Sequence, residues 1–397
     1  MLNGMKVHRM LAEACAGLLT NVFEEGRVLE RVMAAAFSAH PKWGKRDRAF
    51  VAESAYEVAR WRRALAFVAD GEEVSALLAA QWTRMGLEIP AWWVWRGEQA
   101  EGMAARELEL PMQALAIRES VPDWLDWLGR EELGEAWERE LHALNRRAAV
   151  VLRVNRLHCS PEEARQRLAQ EGIESRPVAG APDALVLDEG KTMAARLLEG
   201  GWAEIQDAGS QQVAPLLHAE PGMRVIDACA GAGGKTLHLA VLMANRGEIH
   251  AFDPVEAKLT ELRHRVARGR ISNVRTEVLR DDTFARHAGW ADRLLLDVPC
   301  SGLGTLRRQP DLKWRLNAGR LDEVRETQWK ILREAAPMLK PGGRLVYATC
   351  SILPSENGRQ VARLLAHGGF TLAEELVVSP AASAWDGFYA AALVKDA

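Results

Sequence analysis

The carboxyl-terminal half of the sequence predicts an α/β fold built on a doubly wound, mostly parallel sheet. From residue 223 onward, short apolar segments typical of strands alternate with amphipathic segments typical of helices. A short α+β texture begins near residue 148, and everything before it has a helical pattern. We therefore predict three domains, which span residues 1–145, 146–205 and 206–397.

The first domain is predicted to be all-helical. It is rich in Ala, Leu, Glu and Arg, and apolar residues recur every three or four positions, as in DRAFVAESAYEVARWRRALAFVA (47–69). Pro90, Pro111 and Pro122 divide it into separate helices. Because no cluster of His, Asp, Glu or Cys occurs at ligand spacing, we expect this domain to bind or dock RNA rather than to catalyse.

The second domain is predicted to be a small α+β segment for RNA recognition. AVVLRVNRLH (149–158) is strand-like, and SPEEARQRLAQEG (160–172) follows as a helix with a serine cap and a proline at its first position. DALVLDEG (183–190) is a second strand candidate.

The third domain supplies the alternating pattern. Five strands are predicted, at 223–230, 247–254, 273–282, 291–300 and 342–351. Four helices are predicted, at 233–245, 255–269, 321–339 and 355–368. In a parallel sheet of this kind, ligands bind outside the carboxyl ends of the strands.

Composition narrows the class of protein. Hydrophobic residues make up 48% and charged residues 26% of the chain, which is an ordinary globular balance, and no apolar run is long enough to span a bilayer. The five cysteines are odd in number and lack CxxC spacing, so we expect no disulfide framework and no metal site, and a reducing cytoplasm fits best. Oligomeric state is not readable, and we expect a monomer.

Charge is local rather than global. The net charge is −3, yet residues 261–280 carry six arginines against two glutamates, and residues 306–315 are also basic. A solvated helix face would explain one such run alone. Two basic segments flanking the candidate chemistry favour a rim that binds phosphates.

A glycine-rich turn, DACAGAGGKT (227–236), joins the first strand of the third domain to its first helix. Such a turn lets a ligand approach the backbone and the free N–H groups of the helix start. Its spacing does not fit the G-x-x-x-x-G-K-[ST] loop of nucleoside triphosphatases.

Acidic residues end four successive strands: Asp227, Asp253, Asp281 and Asp297. Asp253 is placed for ribose hydroxyls and Asp281 for the amine of adenine. Singly, each acid is better explained as a helix cap or turn former. Together they favour a cationic nucleoside ligand, and S-adenosylmethionine is such a ligand. The predicted cofactor-binding residues are Ala228, Cys229, Ala230, Gly231, Gly233, Gly234, Lys235, Asp253, Lys258, Asp281 and Asp297.

Two cysteines, Cys300 and Cys350, also stand at strand ends, in LLLDVPCSGLG and YATCSILPSEN. A disulfide, a metal site, simple packing and covalent catalysis each place cysteines in proteins, and most free cysteines only pack. We assign Cys15, Cys159 and the thiol of Cys229 to packing. For the other two, a strand end facing a methyl donor favours a nucleophile.

Methylation of a pyrimidine at C5 needs a nucleophile of this kind. Addition of a thiolate to C6 makes C5 electron-rich enough to attack a sulfonium methyl group, and loss of the C5 proton and the sulfur restores the ring. A carboxylic acid that hydrogen-bonds N3 and the exocyclic amine would stabilise the adduct and favour cytosine. Asp297, three residues before Cys300, is placed for that role.

The motifs DACAGAGGKT, DVPCSGLGTLRRQPDLKW and YATCSILPSEN resemble those of the RsmB/Sun-type RNA cytosine-C5 methyltransferases of the NOL/NOP/Sun group. LRVNR (152–156), EIQDAGSQ (204–211) and DGFYAAALVK (386–395) extend the resemblance over residues 120 to 397. The first 120 residues resemble the NusB-like helical domain of that family only loosely. The resemblance implies a class I methyltransferase fold, S-adenosylmethionine as cofactor and ribosomal (16S) RNA as substrate.

The resemblance also implies individual roles. Cys350 is expected to attack C6, Cys300 to assist breakdown of the adduct, and Lys235 and Asp297 to act at the target base. Two departures from the family pattern are Ala232 in place of the usual proline and Arg280 in place of the usual glycine, so Asp282 is an alternative to Asp281. RNA contacts are predicted for Arg153, Asn155, Arg307, Arg308, Lys313 and Arg315.

Other functions fit the sequence less well. Methylation of an exocyclic amine uses [DN]-P-P-aromatic, and D-V-P-C lacks both the second proline and the aromatic residue. A transfer-RNA cytosine-C5 methyltransferase is an alternative of the same chemistry. A non-catalytic ribosome-assembly factor would be expected to have lost the cysteines and Asp297, which are present.

Overall fold

The computed structural model describes residues 6–95, 100–188 and 198–397. It divides into two compact units, one of residues Met1–Arg146 and Thr305–Ala318, the other of residues Arg147–Gly304 and Gly319–Ala397. The last two residues of the predicted strand 183–190 lie outside the described part. None of the helices in the described ranges is long and apolar enough to cross a membrane.

The first unit is helical, as the sequence predicts. Its helices are α1 (Arg9–Phe23), α2 (Leu29–Ala39), α3 (Lys45–Ala69), α4 (Val74–Arg84), α5 (Ala100–Glu109), α6 (Leu115–Arg118), α7 (Asp123–Leu133) and α8 (Ala136–Leu144). One apolar cluster from α1 to α5 forms its core, and the fully buried Trp82 donates a hydrogen bond to Ser54 Oγ at 3.0 Å within it.

A segment from the methyltransferase-like sequence completes the first unit. Residues Thr305–Ala318 include a short helix, α14 (Leu312–Arg315), and they pack with the amino-terminal helices. Lys313 Nζ donates to the carbonyl oxygen of Arg60 at 2.8 Å, and Trp314 Nε1 donates to that of Ala59 at 2.6 Å. The predicted boundaries placed this segment in the domain of residues 206–397. Its side chains instead satisfy backbone groups of the helical unit.

The second unit begins with a four-stranded antiparallel sheet in the order β2-β3-β1-β4. Its strands are β1 (Val151–Val154), β2 (Ser175–Val178), β3 (Ala181–Leu187) and β4 (Ala203–Ile205), and α9 (Pro161–Gln170) packs on it. The predicted serine cap is confirmed, because Ser160 Oγ accepts from Glu163 N at 3.2 Å and the Glu163 carboxylate accepts from Ser160 N at 2.7 Å.

A seven-stranded sheet in the order β10-β11-β9-β8-β5-β6-β7 forms the rest of this unit. Its strands are β5 (Arg224–Asp227), β6 (Glu248–Asp253), β7 (Val274–Val278), β8 (Ala291–Asp297), β9 (Leu339–Thr349), β10 (Phe370–Val378) and β11 (Phe388–Lys395). The strands from β5 to β9 are parallel, whereas β11 pairs antiparallel with both β9 and β10. The predicted fold class is confirmed.

Helices cover both faces of this sheet. α11 (Gly234–Leu242) and α12 (Glu256–Arg268) pack on one face, and α15 (Ala318–Ala335) and α16 (Gly358–His367) pack on the other. The same unit also contains the short helices α10 (Ala208–Gln211), α13 (Thr283–Arg286) and α17 (Pro380–Ser383). Successive residues of β8 enter opposite cores, since Leu295 packs in one apolar cluster and Leu294 and Leu296 in the other. This two-sided burial explains the continuous apolar strand sequence.

Candidate active site at the strand ends

The candidate site lies where β5, β6, β8 and β9 end at one edge of the sheet. Parallel pairing places Asp227 beside Leu295 and Asp297 beside Ala348. Residues that follow neighbouring parallel strands are therefore close in space although they are distant in sequence.

Cys300 and Cys350 are brought together by this register. Their Sγ atoms are 3.3 Å apart, which is within reach of a thiol hydrogen bond. The two loops that carry them are joined by backbone contacts, because Val298 N donates to Ala348 O at 3.0 Å and Gly304 N donates to Cys350 O at 2.9 Å. Both cysteines are free and partly exposed.

The surroundings of Cys300 favour the protonated form of its thiol. The hydrogen bond with Cys350 raises the pKa of the Cys300 thiol well above its ordinary value, and burial raises it further. The Cys300 thiol is therefore suited to remain protonated.

Lys235 and Asp297 form an ion pair beside the cysteines. Lys235 Nζ donates to Asp297 Oδ2 at 2.7 Å, and the same ammonium lies 5.2 Å from the ring centroid of Phe388. Burial lowers the pKa of Lys235, but the charge and hydrogen bond of Asp297 outweigh it and leave that pKa raised. Lys235 is thus a buried ammonium, whereas the Asp297 side chain is 30% exposed.

The glycine turn after β5 leaves room for a ligand. Gly231 and Gly233 have φ values of +55° and +89°, which side chains rarely adopt. A Cβ at Gly231 would meet no atom within 4 Å, whereas one at Gly233 would lie 2.1 Å from Leu262 Cδ1. Gly231 therefore borders open space, and Gly233 lets the turn pack against α12.

Acidic groups around this turn have different surroundings. Asp253 Oδ2 accepts from Gly231 N at 3.1 Å, and its Oδ1 accepts from Val255 N at 2.9 Å. Lys258 Nζ lies 3.6 Å from Asp253 Oδ2, and the Lys258 side chain is 53% exposed. Asp281 is exposed after β7, while the alternative, Asp282, pairs with Arg286 at 3.0 Å.

Asp227 departs from the expected arrangement of four ligand-facing acids. It is buried, accepts from Thr236 Oγ1 at 2.7 Å, and has a pKa raised to about 7, mainly by burial. Its carboxyl group therefore stabilises the glycine turn through this hydrogen bond and does not face a ligand. The remaining set, with an open glycine turn and the carboxylates of Asp253 and Asp281, fits a cationic nucleoside such as S-adenosylmethionine.

The predicted RNA contacts in the small sheet are turned inward. Arg153 is 3% exposed, and its guanidinium donates to Gln206 Oε1 and to the carbonyl of Gly234. Asn155 is also buried and donates to Gly201 O at 3.0 Å. Neither side chain is open to solvent. Arg153 instead links the small sheet to the glycine turn.

The basic segment after Cys300 is also largely internal. Lys313 is fully buried and Arg307 is 5% exposed, and both donate to backbone carbonyls of the helical unit. Burial lowers the pKa of Lys313 well below its ordinary value. Arg315 pairs with Asp311 at 2.8 Å, and Arg308 is half-buried. The expectation that Lys313 and Arg307 hold an RNA backbone is therefore not supported by their positions.

The sequence reasoning missed one group of the site, the carboxylate of Glu356. It is fully buried and accepts from Ser301 N at 2.7 Å and from Gln328 Nε2 at 2.9 Å. The repeated dipeptide Cys-Ser, after both β8 and β9, is the sequence signal that points to it.

Comparison with known proteins identifies the family. Residues 214–394 match the family described as 16S rRNA methyltransferase RsmB/F, and residues 121–194 match the ferredoxin-like domain of RsmF/B-like methyltransferases. The ribosomal RNA small subunit methyltransferase B of Vibrio vulnificus is 33% identical over 410 aligned positions, which cover 98% of this chain and 92% of that protein. The chain belongs to the RsmB/F family. The resemblance inferred from the motifs is thereby confirmed.

Other members align over part of their length. The probable ribosomal RNA small subunit methyltransferase B of Synechocystis is 37% identical over 278 residues, which cover 68% of this chain and 62% of that protein. The crystal structure of PH0851 has the same fold, with a TM-score of 0.79 and 22% identity, and the match covers 98% of this chain and 100% of that one.

Proposed function

We propose that this RsmB/F family member methylates C5 of a cytosine in 16S ribosomal RNA through a covalent bond between Cys350 and C6. The observation that carries the proposal is the pair of thiols, 3.3 Å apart, next to the Lys235–Asp297 ion pair. The family description and the printed names of the relatives support ribosomal RNA as the substrate. Free thiols suit a reducing cytoplasm.

The first step is attack by the Cys350 thiolate on C6. A thiolate is the reactive form, and the protonated Cys300 thiol stabilises it by donating a hydrogen bond. Lys235 places a further positive charge in the site. Asp297 Oδ2 accepts from Lys235, which leaves Oδ1 to accept from the exocyclic amine of cytosine and so to distinguish it from uracil.

The methyl group comes from outside the protein. When bound, S-adenosylmethionine supplies an electrophilic methyl group to C5. The glycine turn at Gly231, with Asp253 and Asp281, would hold the nucleoside end of this cofactor, and Lys258 would move aside for the ribose.

The last step needs a base, and Cys300 becomes one at the right stage. Its raised pKa depends first on the hydrogen bond with Cys350. Once the Cys350 sulfur is bonded to C6, that partner is lost and the pKa of Cys300 falls. Cys300 can then release its own proton to water and, as a thiolate, take the C5 proton; the C5–H bonding electrons re-form the C5–C6 double bond, and the C6–sulfur bond breaks to release the Cys350 thiolate.

Nucleoside analysis by mass spectrometry tests this function. The purified protein is incubated with S-adenosylmethionine and unmodified 16S ribosomal RNA, and 5-methylcytidine is measured. We expect product with the wild type and with Cys159→Ala, which changes a buried thiol in the core of the small sheet, and none with Cys350→Ala. Product from Cys350→Ala would refute the covalent mechanism, and a wild type that methylates only transfer RNA would refute the substrate.

A further inference from the structure

A single buried carboxylate connects the loops of both reactive cysteines. Glu356 lies between β9 and α16 and has no exposed surface. Its Oε1 accepts from Ser301 N at 2.7 Å and from Gln328 Nε2 at 2.9 Å, and its Oε2 accepts from the hydroxyls of Ser301 and Ser351. Each serine directly follows one of the cysteines.

The two loops have matching local structures. Each reads Cys-Ser-x-Leu, as Cys300 to Leu303 and as Cys350 to Leu353. In each loop the serine hydroxyl accepts from the leucine N–H two residues on, at 3.3 Å from Leu303 and 3.1 Å from Leu353. The two hydroxyls lie 3.2 Å apart and share one carboxylate oxygen.

Glu356 is itself held rigidly. Tyr347, fully buried in β9, donates its hydroxyl to the backbone oxygen of Glu356 at 2.6 Å. The next residue, Asn357, donates its side-chain amide to Ser351 O at 3.0 Å. A buried carboxylate is costly unless its oxygens are fully hydrogen-bonded, and the four donors to Glu356 meet that requirement.

We propose that Glu356 is the positioning residue that sets the distance between the Cys300 and Cys350 thiols. This inference rests on the proposed function, because the separation matters only if one thiol bonds the base and the other assists its release. Glu356 touches no reacting atom. It acts through Ser301 and Ser351, each fixed on one side of the 3.3 Å sulfur–sulfur contact.

Removal of the Glu356 charge should move the two thiols apart without leaving a cavity where the side chain was. In Glu356→Gln the side chain keeps its size but loses an oxygen that accepts two hydroxyl hydrogens. A misplacement of reacting groups by about 1 Å can cost on the order of 100-fold in rate. We expect kcat to fall by about that factor while KM for S-adenosylmethionine stays within about twofold, since the glycine turn is untouched.

Disulfide formation between the thiols reports their distance independently of methylation. The oxidant diamide removes two hydrogen atoms from a close thiol pair, leaving a disulfide and a hydrazine, and peptide mass spectrometry quantifies the Cys300–Cys350 product. We expect Glu356→Gln to form it about tenfold or more slowly than the wild type. Glu323→Gln, which removes the same charge from an exposed pair with Arg320, is the matched control and should match the wild type.

The serine variants make the test decisive if Glu356→Gln does not fold. Ser301→Ala and Ser351→Ala each remove one tether, and each should slow diamide cross-linking. Combined with Glu356→Gln, where that variant folds, neither should slow it further, because residues of one network are not additive. A folded Glu356→Gln, or both serine variants, with wild-type cross-linking and kcat would overturn the proposal. A wild type that cross-links quickly but methylates no RNA would refute the proposed function and leave the positioning role intact.

Discussion

Lys235 is buried in the fold and, in the proposed function, also takes part in the reaction. It is the second residue of α11, and its ammonium is buried against Asp297 and Phe388. A buried ammonium is tolerated only with a partner, and Asp297 supplies one while keeping an oxygen for substrate. The sequence of the turn was sufficient to predict Lys235 as a site residue, but its pairing with Asp297, 62 positions away, became visible only in the structure.

Replacement of Lys235 by methionine keeps the length of the side chain and removes the charge. Asp297 would lose its fixed position, and the thiols would lose a nearby cation. We expect kcat to fall about 100-fold or more, in the range typical of groups that manage charge in the transition state. Initial-rate measurements check this, with the exposed Lys330→Met as control. Retention of near wild-type kcat would exclude a role at the base.

His238 makes the stability of the second unit depend on pH. Burial lowers its pKa to about 4 from the ordinary 6.5, despite its contact with Asp183. Between about pH 4 and pH 6.5, His238 is therefore protonated in the unfolded chain but neutral in the folded chain. The free energy of unfolding consequently falls as the pH drops through this range. Between about pH 7 and about pH 5 the loss should be about 2 kcal/mol.

Urea unfolding at the two pH values measures this loss. We expect His238→Gln to remove about 2 kcal/mol of the pH dependence, and the exposed His264→Gln to leave it unchanged. If His238→Gln and the wild type show equal pH dependence, burial of a neutral imidazole is not its cause.

At the scale of elements, the active site depends on close contact between the loops after β8 and β9. Gly304 lies in the first loop, and a Cβ there would be 2.1 Å from Gly387 O and 2.8 Å from Cys350 O. The backbone bonds Gly304 N to Cys350 O and Gly387 N to Gly304 O, at 2.9 and 2.8 Å, require this approach. Glycine is the residue that permits it.

We expect Gly304→Ala to destabilise the protein by about 1–3 kcal/mol, as overpacking does, and to lower methylation by displacing the Cys350 loop. Thermal unfolding and initial rates measure both effects. Gly17→Ala, where a Cβ meets no atom within 4 Å, is the control. Full activity and an unchanged melting temperature in Gly304→Ala would show that the loops do not need this contact.

Elements with a strong period were predictable, and those without one were not. The helix predicted over 255–269 is found at Glu256–Arg268, because its apolar positions recur at helical spacing. The strands β10 and β11 were missed. β10 is an edge strand with most of its residues exposed, so it lacks apolar alternation, and β11 has small alanines where bulky residues would mark a strand.

At the scale of the whole molecule, the helical unit is built from two segments that lie far apart in the sequence. Residues Thr305–Ala318 leave the sequence of the α/β unit and complete the helical one. A basic segment is usually taken as solvated, but here a buried lysine and a tryptophan bond to carbonyls of α3. No local sequence pattern indicates a partner some 250 positions away, so the burial of this segment could not be predicted from the sequence.

A protein shortened to residues 147–397 should therefore not behave as an independent enzyme. Removal of the amino-terminal helices would leave Lys313 and Trp314 without the carbonyl groups that they bond. It would also expose the apolar side chains of residues 305–318, the segment that follows the Cys300 loop in the sequence. We expect the fragment to aggregate, which size-exclusion chromatography would detect, or to methylate RNA at least about tenfold more slowly, which rate measurements would detect. A monomeric, fully active fragment would show that the helical unit is dispensable.

The central claim, that Cys350 bonds the base and Cys300 releases it, is tested most directly by trapping the protein–RNA adduct. Cys300→Ala is incubated with 16S ribosomal RNA and S-adenosylmethionine, denatured, and examined by gel electrophoresis and peptide mass spectrometry. The account predicts an adduct that survives denaturation, maps to Cys350, and is absent from the Cys300→Ala/Cys350→Ala double variant. An adduct that maps elsewhere, or none in Cys300→Ala together with methylation by Cys350→Ala, would contradict it.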